Sequence, residues 1–327
     1  MMTLLMPFVA LLIGMLVLIW SADRFVDGAS GLARDLGLSS LLVGMLVVGF
    51  GTSAPELLVS ATAAIQGNPS LGIGNAIGSN ITNIALVLGV TAIIVKLPVH
   101  SRTVKIELPI VLVSGLLVFW LIHRDNNFST TDGWILLSCL VTVMSVLTYL
   151  AVVQSPSKIL ATEAKDELPE ALPLKASILW TVVGLVLLVA SSKLLVWSAT
   201  TIAIHFGVSD LIIGLTIVAI GTSLPELAAA VSSAIKGETD FAVGTVVGSN
   251  MFNTLGVLAL PGIIGTTDIP DGVLSRDLPI MLGITALLLL FGIGCWHKYV
   301  INRSKGIVLL IGFIVYEVFL YVQTTSG

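Results

Sequence analysis

Two glutamates embedded in apolar sequence are the residues of this chain best suited to chemistry. Glu56 ends the hexapeptide GTSAPE, and Glu226 ends the near-copy GTSLPE, 170 residues later. An ionisable side chain inside a long apolar run is costly, and it therefore marks a functional site by default. A second pair of motifs repeats at the same offset, GSNITN at 78–83 and GSNMFN at 248–253. The repeated pattern indicates a duplicated protein with one polar site built from both copies.

The prolines of the two hexapeptides predict a break in the helices that carry them. Pro55 has no N–H to donate, so the carbonyl of Gly51 loses its partner in the helix. Pro225 repeats the arrangement behind Gly221. Backbone that is not helical at membrane depth is tolerated only where it is buried in protein or lines a cavity. We therefore expect both broken turns to offer carbonyl oxygens to something polar.

The remaining polar residues of the four motifs supply further oxygen atoms on shared helix faces. Thr52 and Glu56 are four residues apart, and Ser79 and Asn83 have the same spacing, so each pair lies on one face of its helix. Every member has a counterpart 170 residues later. The complete set of candidate ligands is Gly49, Thr52, Ser53, Glu56, Ser79, Asn83, Ala219, Thr222, Ser223, Glu226, Ser249 and Asn253.

An all-oxygen ligand set with two carboxylates favours a hard cation. Softer metals prefer the sulfur and imidazole ligands that these motifs lack, whereas Ca²⁺ takes oxygen. Two carboxylates balance the charge of one Ca²⁺ or two Na⁺. The two ions have similar radii, so one cage can hold either, and they compete for it. Mg²⁺ fits less well because it resists dehydration and demands a tight octahedron. No resident cofactor is expected.

The composition predicts an integral membrane protein with many spans. Of the 327 residues, 56% are apolar and only 10% are charged, whereas soluble domains carry about 25% charged residues. Basic residues are few and scattered, which argues against nucleic-acid binding. An enzyme is not expected either, because no embedded His or Cys supplies a nucleophile–base pair or a catalytic metal site.

Apolar runs predict ten membrane-spanning helices, each near or above the roughly 20 residues that a crossing needs. The predicted spans are 4–21, 38–65, 71–95, 105–123, 133–153, 174–192, 208–235, 241–264, 276–296 and 306–323.

A polar stretch at 154–173 divides these spans into two groups of five, in segments 1–153 and 174–327. We interpret it as a short cytoplasmic linker. Because five is odd, the second group must enter the membrane in the opposite sense. With the N-terminus outside, twelve lysines and arginines fall on the cytoplasmic side and three outside, in keeping with the positive-inside rule. The predicted fold class is an all-α polytopic membrane protein of two inverted-topology repeats, an architecture common among secondary transporters, with both termini outside.

Other polar residues near the spans are interpreted as structural. Asp23 and Asp27 follow the first span and are expected at the membrane interface. Asn80 and Asn250 lie off the Ser/Asn face of their helices. Glu317 lies in the last span without a counterpart in the first half.

The GTSxPE and GSNxxN pairs, in two groups of five spans, closely resemble the alpha-repeats of the sodium/calcium exchanger family, within the cation/calcium antiporter superfamily. The resemblance covers nearly the whole chain, and the paired motifs are highly specific. It implies a central site in which Glu56 and Glu226 bridge calcium and share the sodium sites. The other implied ligands are the carbonyls of Thr52 and Thr222 and the hydroxyls of Ser53 and Ser223 for calcium, Ser79, Ser249 and the carbonyls of Gly49 and Ala219 for sodium, and Asn83 and Asn253 in the middle of the site.

The resemblance also implies an activity, which is secondary active exchange of Na⁺ for Ca²⁺ by alternating access. The first and sixth spans would be the mobile gate. Potassium-dependent relatives carry additional acidic residues at the level of Asn83 and Asn253. The two asparagines of this chain therefore argue against potassium co-transport. The proton/calcium branch typically has Asn in place of the Thr/Ser-Pro pattern, which favours sodium as the coupling ion.

Two alternatives stay open. The chain could be an antiporter of H⁺ and Ca²⁺, or of another divalent cation, and a calcium channel is less favoured. The expected partners are Ca²⁺, Na⁺ and the lipid bilayer, with no obligatory protein partner. The short linker is like that of bacterial and archaeal members, so the expected location is a prokaryotic cytoplasmic (inner) membrane.

Overall fold

The computed structural model describes residues 2–35, 39–125, 127–153, 172–206, 219–269, 272–294 and 299–326, and these residues are almost entirely helical. The α-helices are α1 (Met2–Asp35), α2 (Ser40–Val43), α3 (Gly49–Thr52), α4 (Ala54–Ile65), α5 (Pro69–Thr82), α6 (Gly89–Ile94), α7 (Leu108–Asp125), α8 (Thr130–Val153), α9 (Leu174–His205), α10 (Ala219–Thr222), α11 (Leu224–Ile235), α12 (Thr239–Phe252), α13 (Ala259–Ile264), α14 (Leu278–Ile293) and α15 (Arg303–Ser326). Within these described ranges, five π-helical segments, each continuous with an α-helix, are π1 (Gly44–Val48), π2 (Asn83–Leu88), π3 (Thr103–Glu107), π4 (Asn253–Val257) and π5 (Val273–Asp277). The same ranges contain four strands of two residues, β1 (Leu97–Pro98), β2 (Asn127–Phe128), β3 (Thr267–Asp268) and β4 (Val300–Ile301).

The helices confirm an all-α polytopic membrane protein. Within the described residues, nine helical stretches are long and apolar enough to cross a membrane. The predicted span at 208–235 is not among them, because residues 207–218 lie outside the described part of the chain. Its described part contains α10 and α11. The predicted count of ten therefore stays a prediction, as does the linker, since residues 154–171 also lie outside the description.

Two spans are longer than predicted. The prediction ended the first span at 21 and the sixth at 192, just before the charged residues Asp23 and Lys193, but α1 continues to Asp35 and α9 to His205. A charge does not end a helix where the backbone hydrogen bonds continue into the polar edge of the membrane. Asp23 also has a partner, because Lys236 Nζ lies 2.7 Å from its carboxylate.

The bounds of equivalent elements recur at the offset of 170 residues. Both α4 and α11 contain 12 residues, and each is followed by a glycine with left-handed backbone, Gly67 (φ 78°) and Gly237 (φ 84°). Glycine adopts a positive φ without the steric penalty of a Cβ, which is why it so often follows a helix end. The same offset relates α5 to α12. The repeat in the sequence is thus also a repeat of local structure.

Two short antiparallel strand pairs connect the parts of the chain before and after 154–173. β1 pairs with β4, where Leu97 lies opposite Ile301, and β2 pairs with β3, where Asn127 lies opposite Asp268. Each pair takes one strand from each half. The pairing satisfies backbone groups at the helix connections and ties the halves together.

The centre of the molecule is α12, which is buried along almost its whole length and packs against α2, π1 and α3. Glycines allow this close approach. A Cβ at Gly49 would lie 2.8 Å from the backbone nitrogen of Ser249, and one at Gly248 would lie 2.4 Å from the carbonyl oxygen of Met45. Small residues at helix interfaces commonly serve this purpose in membranes. The segment that precedes the first GTSxPE motif is therefore packed closely against the second GSNxxN motif.

The two longest helices, α1 and α9, pack along each other beside this centre. Gly184 of α9 lies against Phe25 of α1, and the rings of Trp20 and Trp180 meet edge to face with centroids 5.9 Å apart. At 34 and 32 residues, each helix is roughly 50 Å long, more than a hydrocarbon core of about 30 Å, so each must tilt or extend into the headgroup region.

Candidate cation site

Both GTSxPE motifs form the break that their prolines predict. Helix α3 ends at Thr52, and α4 begins at Ala54 with Pro55 in its first turn. Between them Ser53 leaves the helical conformation, with φ −80° and ψ 1°, and Ser223 does the same with φ −91° and ψ 5°. The break leaves a glutamate in the first turn of each following helix. A helix N-terminus carries partial positive charge, which favours a carboxylate at that place.

The two glutamates are fully buried and lie near each other. Glu56 and Glu226 are each 0% exposed, and their carboxylates are close enough to repel. None of the salt bridges among the described residues includes either of them. Buried charges in proteins are paired or coordinate metals. Two buried carboxylates that repel each other, without a basic partner among the described salt bridges, therefore require positive charge from a bound cation or from protons.

The hydroxyl of Ser249 joins the second half of the chain to the first. Its Oγ lies 3.3 Å from Thr52 Oγ1, 3.3 Å from the carbonyl oxygen of Gly49 and 3.5 Å from Glu226 Oε1. Thr52 itself donates to the carbonyl of Val48 at 2.9 Å. A hydroxyl has one proton to donate, so Ser249 can satisfy only one of its three neighbours. The remaining oxygen lone pairs point to a cation as their partner.

The equivalent arrangement around Glu56 uses Ser79. The Ser79 side chain lies beside the Glu56 carboxylate, although neither carboxylate oxygen forms a hydrogen bond of ordinary geometry. Asn75 Nδ2 donates to the backbone carbonyl of Glu56 at 3.4 Å. Each glutamate thus has a serine of the GSNxxN motif beside it.

Buried polar atoms without a hydrogen-bond partner are concentrated in the predicted ligand set. Among the described residues, nine of the sixteen such side-chain atoms belong to it. Each unsatisfied buried group costs about 1–3 kcal/mol, so their clustering indicates a site whose oxygens bind something other than protein. The nine atoms are Ser53 Oγ, Ser223 Oγ, both carboxylate oxygens of Glu56, Glu226 Oε2, and the amide oxygen and nitrogen of Asn83 and of Asn253.

The two asparagines open π-helical turns. Asn83 is the first residue of π2 and Asn253 the first residue of π4, and both are fully buried. Single π-helical turns inside α-helices occur frequently at functional sites.

Most of the predicted ligands are buried. Ser249 contacts three of the others, Gly49, Thr52 and Glu226, as described above. Ala219 and Thr222 begin and end α10, immediately before the second break. The predicted structural role of Asn80 and Asn250 agrees with their contacts, because Asn250 Nδ2 donates to the carbonyl of Asn80 at 3.3 Å.

Sequence reasoning missed polar residues that support the site from outside the motifs. Ser192 of α9 donates to the carbonyl of Gly221 at 2.6 Å. Ser60 of α4 donates to the carbonyl of Val257 in π4 at 3.0 Å. The repeat could not reveal Ser192, because its counterpart at the offset of 170 is Ala22. Its contact depends on how two distant helices pack.

Comparison with known proteins gives consistent matches along the chain. The model of the sodium/calcium exchanger protein family matches residues 6–149 and 176–322. A protein of Alkalimonas amylolytica named as antiporter CaxA is 46% identical over 310 residues, which cover 95% of this chain and 97% of the relative. Inner membrane protein YrbG of Escherichia coli (strain K12) is 38% identical over 314 residues, 95% of each chain. A solved structure of the sodium-calcium exchanger NCX_Mj, soaked with Na⁺ and Sr²⁺, matches with a TM-score of 0.79 at 30% identity, over 94% of this chain and 96% of that chain.

Proposed function

This chain belongs to the sodium/calcium exchanger protein family and is an integral, multi-pass membrane antiporter of cations that include Ca²⁺, and from this premise we propose that it exchanges Na⁺ for Ca²⁺ by alternating access at the buried cage. Its relatives and structural neighbours are transporters rather than enzymes. Ca²⁺ and Na⁺ are the transported substrates in this proposal, and no resident cofactor takes part.

The observation that carries the proposal is the pair of buried carboxylates, one from each half. A charge of −2 without a described basic partner is neutralised by one Ca²⁺ or by two Na⁺. With either load the cage can close, because no uncompensated charge is left in a medium of low dielectric. Without a bound cation, the cage contains two carboxylates whose charge is not compensated. This charge opposes closure of the cage. This difference favours exchange over leak.

We assign the cage oxygens to the substrates as follows. Glu56 and Glu226 bridge Ca²⁺ and share the Na⁺ positions, because they carry the only formal charge of the cage. Ser249 and the carbonyl of Gly49 bind Na⁺ on one side, a role supported by the position of the Ser249 hydroxyl between Gly49 and the Glu226 carboxylate. The other proposed ligands are the carbonyls of Thr52, Thr222 and Ala219, the hydroxyls of Ser53, Ser223 and Ser79, and the amide oxygens of Asn83 and Asn253.

Sodium is the proposed coupling ion in preference to the proton. A proton needs only one carboxylate oxygen, whereas Na⁺ needs a shell of oxygen ligands. The hydroxyls of Thr52 and Ser249 and the carbonyl of Gly49 form such a shell beside Glu226. Because bound Ca²⁺ needs oxygen ligands as well, the preference for sodium rests on the Thr/Ser-Pro pattern of the two motifs, with which this shell is compatible.

The proposed architecture is ten spans in two inverted repeats, 1–153 and 174–327, joined by a cytoplasmic linker. Support comes from the recurrence of element bounds at 170 residues, from the two segments that match the family model, and from the distribution of basic residues. Both termini lie outside in this arrangement. The name of the relative YrbG supports an inner-membrane location.

Calcium flux in proteoliposomes tests the proposed function. Sodium, potassium and proton gradients are imposed one at a time, with Glu56→Gln as the inactive control. Calcium uptake driven by an outward sodium gradient alone is expected. Uptake driven by a pH gradient without sodium would instead identify an H⁺/Ca²⁺ antiporter, and uptake without any counter-ion gradient would identify a channel.

A further inference from the structure

Helix α9 carries a hydroxyl that reaches the broken turn of the second half. Ser192 Oγ donates to the carbonyl of Gly221 at 2.6 Å, and both residues are buried. That carbonyl has no helical donor four residues later, because Pro225 lacks an N–H. Ser192 therefore supplies the hydrogen bond that the proline removes.

The packing around this bond is tight because Gly221 has no side chain. A Cβ there would lie 2.1 Å from a methyl group of Val196, which is one helical turn after Ser192 on α9. The same helix also contacts the first broken turn, since a Cβ at Gly51 would lie 2.7 Å from a methyl group of Leu185. Helix α9 thus lies against the broken turns of both halves.

The repeat shows that the Ser192 hydroxyl is specific to one half. Ser191 and its counterpart Ser21 both donate within their own helices, to Leu188 and Leu18, at 3.0 Å each. The next position is Ser192 in the second half and an alanine in the first. A hydroxyl that crosses from a long helix to a broken turn is therefore present at this position on α9, and the equivalent position on α1 is Ala22. The cage opens to opposite sides of the membrane in two access states, which the repeat would make similar in energy. A bond that exists in one half alone can stabilise one of these states over the other.

We infer that Ser192 is a positioning residue that holds α9 against Gly221 in the conformation described here, and that this bond breaks when α9 moves to open the cage to the other side of the membrane. The inference rests on the proposed function. Ser192 does not bind the cation in this account. It acts through the Gly221 carbonyl, which precedes Thr222 in the chain and becomes available to water or a passing ion once α9 has moved away.

The test compares the half-saturating Ca²⁺ concentrations on the two sides of the membrane, measured in right-side-out and inside-out vesicles. A buried hydroxyl–carbonyl bond changes a conformational equilibrium by roughly 2- to 10-fold. Ser192→Ala is expected to change the ratio of the two concentrations by about that factor, because destabilising one access state strengthens binding from one side and weakens it from the other. Ser192→Thr keeps the hydroxyl and is expected to keep the ratio.

Two further variants separate this role from ordinary packing. Ser191→Ala removes a neighbouring hydroxyl that bonds only within α9, and it should leave the ratio unchanged. Ala22→Ser adds a hydroxyl at the equivalent place on α1 and should move the ratio in the opposite direction from Ser192→Ala. An unchanged ratio in Ser192→Ala, or an equal change in Ser191→Ala, would overturn the inference.

A second readout does not depend on which ion is transported. Hydrogen–deuterium exchange of the backbone at 219–226 should speed up in Ser192→Ala but not in Ser191→Ala. If the wild type moves no calcium with sodium, the proposed function fails, and the exchange rates still decide the role of Ser192. Equal exchange rates in the two variants would contradict that role while leaving the proposed function intact.

Discussion

The hydroxyl oxygens of Thr52 and Ser249, one from each half of the chain, lie 3.3 Å apart inside the buried cage. Thr52 donates its proton to the carbonyl of Val48, so it can only accept from Ser249. The junction of the two halves therefore runs through the candidate cation site. A movement of one half against the other must change the cage, which is the coupling that alternating access requires.

Removing the Ser249 hydroxyl should weaken the binding of Na⁺ more than the binding of Ca²⁺. In Ser249→Ala the half-saturating Na⁺ concentration is expected to rise by about tenfold, the effect of losing one charge-assisted contact of about 1.4 kcal/mol. Sodium-dependent calcium efflux from proteoliposomes measures it. Ser233→Ala is a matched control, because Ser233 is also buried but donates within its own helix to Ala229. Equal losses in the two variants would assign the effect to packing.

Neutralising one glutamate should stabilise the cation-free protein and abolish its response to calcium. Glu56→Gln removes one of two buried charges that repel, so its melting temperature at alkaline pH without Ca²⁺ should exceed that of the wild type. When Ca²⁺ is present at a hundredfold excess over its Kd, the free energy of unfolding of the wild type should rise by about 2.7 kcal/mol. The free energy of unfolding of Glu56→Gln should hardly change.

Glu317→Gln is the control for this experiment. Glu317 is a partly buried acid of α15 that lies outside the predicted ligand set. Its variant should keep the full thermal response to Ca²⁺. If Glu56→Gln responded to Ca²⁺ as strongly as Glu317→Gln, the assignment of Glu56 as a ligand would be wrong.

Acid should inhibit transport by competing with the cation. A proton on Glu56 or Glu226 removes a negative charge that Ca²⁺ needs, so activity is present when both are ionised and is lost as the pH falls. Raising the Ca²⁺ concentration should move the inhibition to lower pH, because the ion and the proton share the same oxygens. Initial rates measured across roughly pH 5 to 8 at two Ca²⁺ concentrations give this shift, and a rate independent of pH would contradict it.

An ion cluster outside the cage should contribute little to stability. Lys236 Nζ lies 2.7 Å from the carboxylate of Asp23 and 2.6 Å from that of Asp27, which joins the end of α11 to α1. Both carboxylates are a third or more exposed, so each pair contributes about 0–1 kcal/mol and is screened by salt. The melting temperature of Lys236→Gln should be slightly below that of the wild type at low ionic strength and equal to it at high salt. A difference that persists at high salt would show a role beyond charge.

The helix breaks beside Glu56 and Glu226 could be predicted from the sequence because the repeat isolates both motifs. Pro55 and Pro225 fix the helix breaks by local backbone chemistry, and the spacing of Thr52 and Glu56 needs only helix geometry. The fold class followed from composition in the same way. The helix breaks and the shared helix faces depend on residues that are close in sequence.

What the sequence could not reveal depends on contacts between distant helices. The neighbours of Ser249 in the first half, and the bond from Ser192 to Gly221, are set by the packing of α12 and α9. The prediction ended the first span just before Asp23 and the sixth just before Lys193, so it underestimated the lengths of α1 and α9. The pairing of Asp23 with Lys236 is a tertiary contact.

Equilibrium binding of ⁴⁵Ca²⁺ to the purified protein, titrated with Na⁺, tests the central claim of one shared −2 cage most directly. Because two Na⁺ replace the charge of one Ca²⁺, bound calcium should fall to zero with a Hill coefficient that approaches about two. Glu56→Gln and Glu226→Gln should bind almost no calcium at any Na⁺ concentration. Calcium that stays bound at saturating Na⁺, or that both variants bind as tightly as the wild type, would contradict the claim.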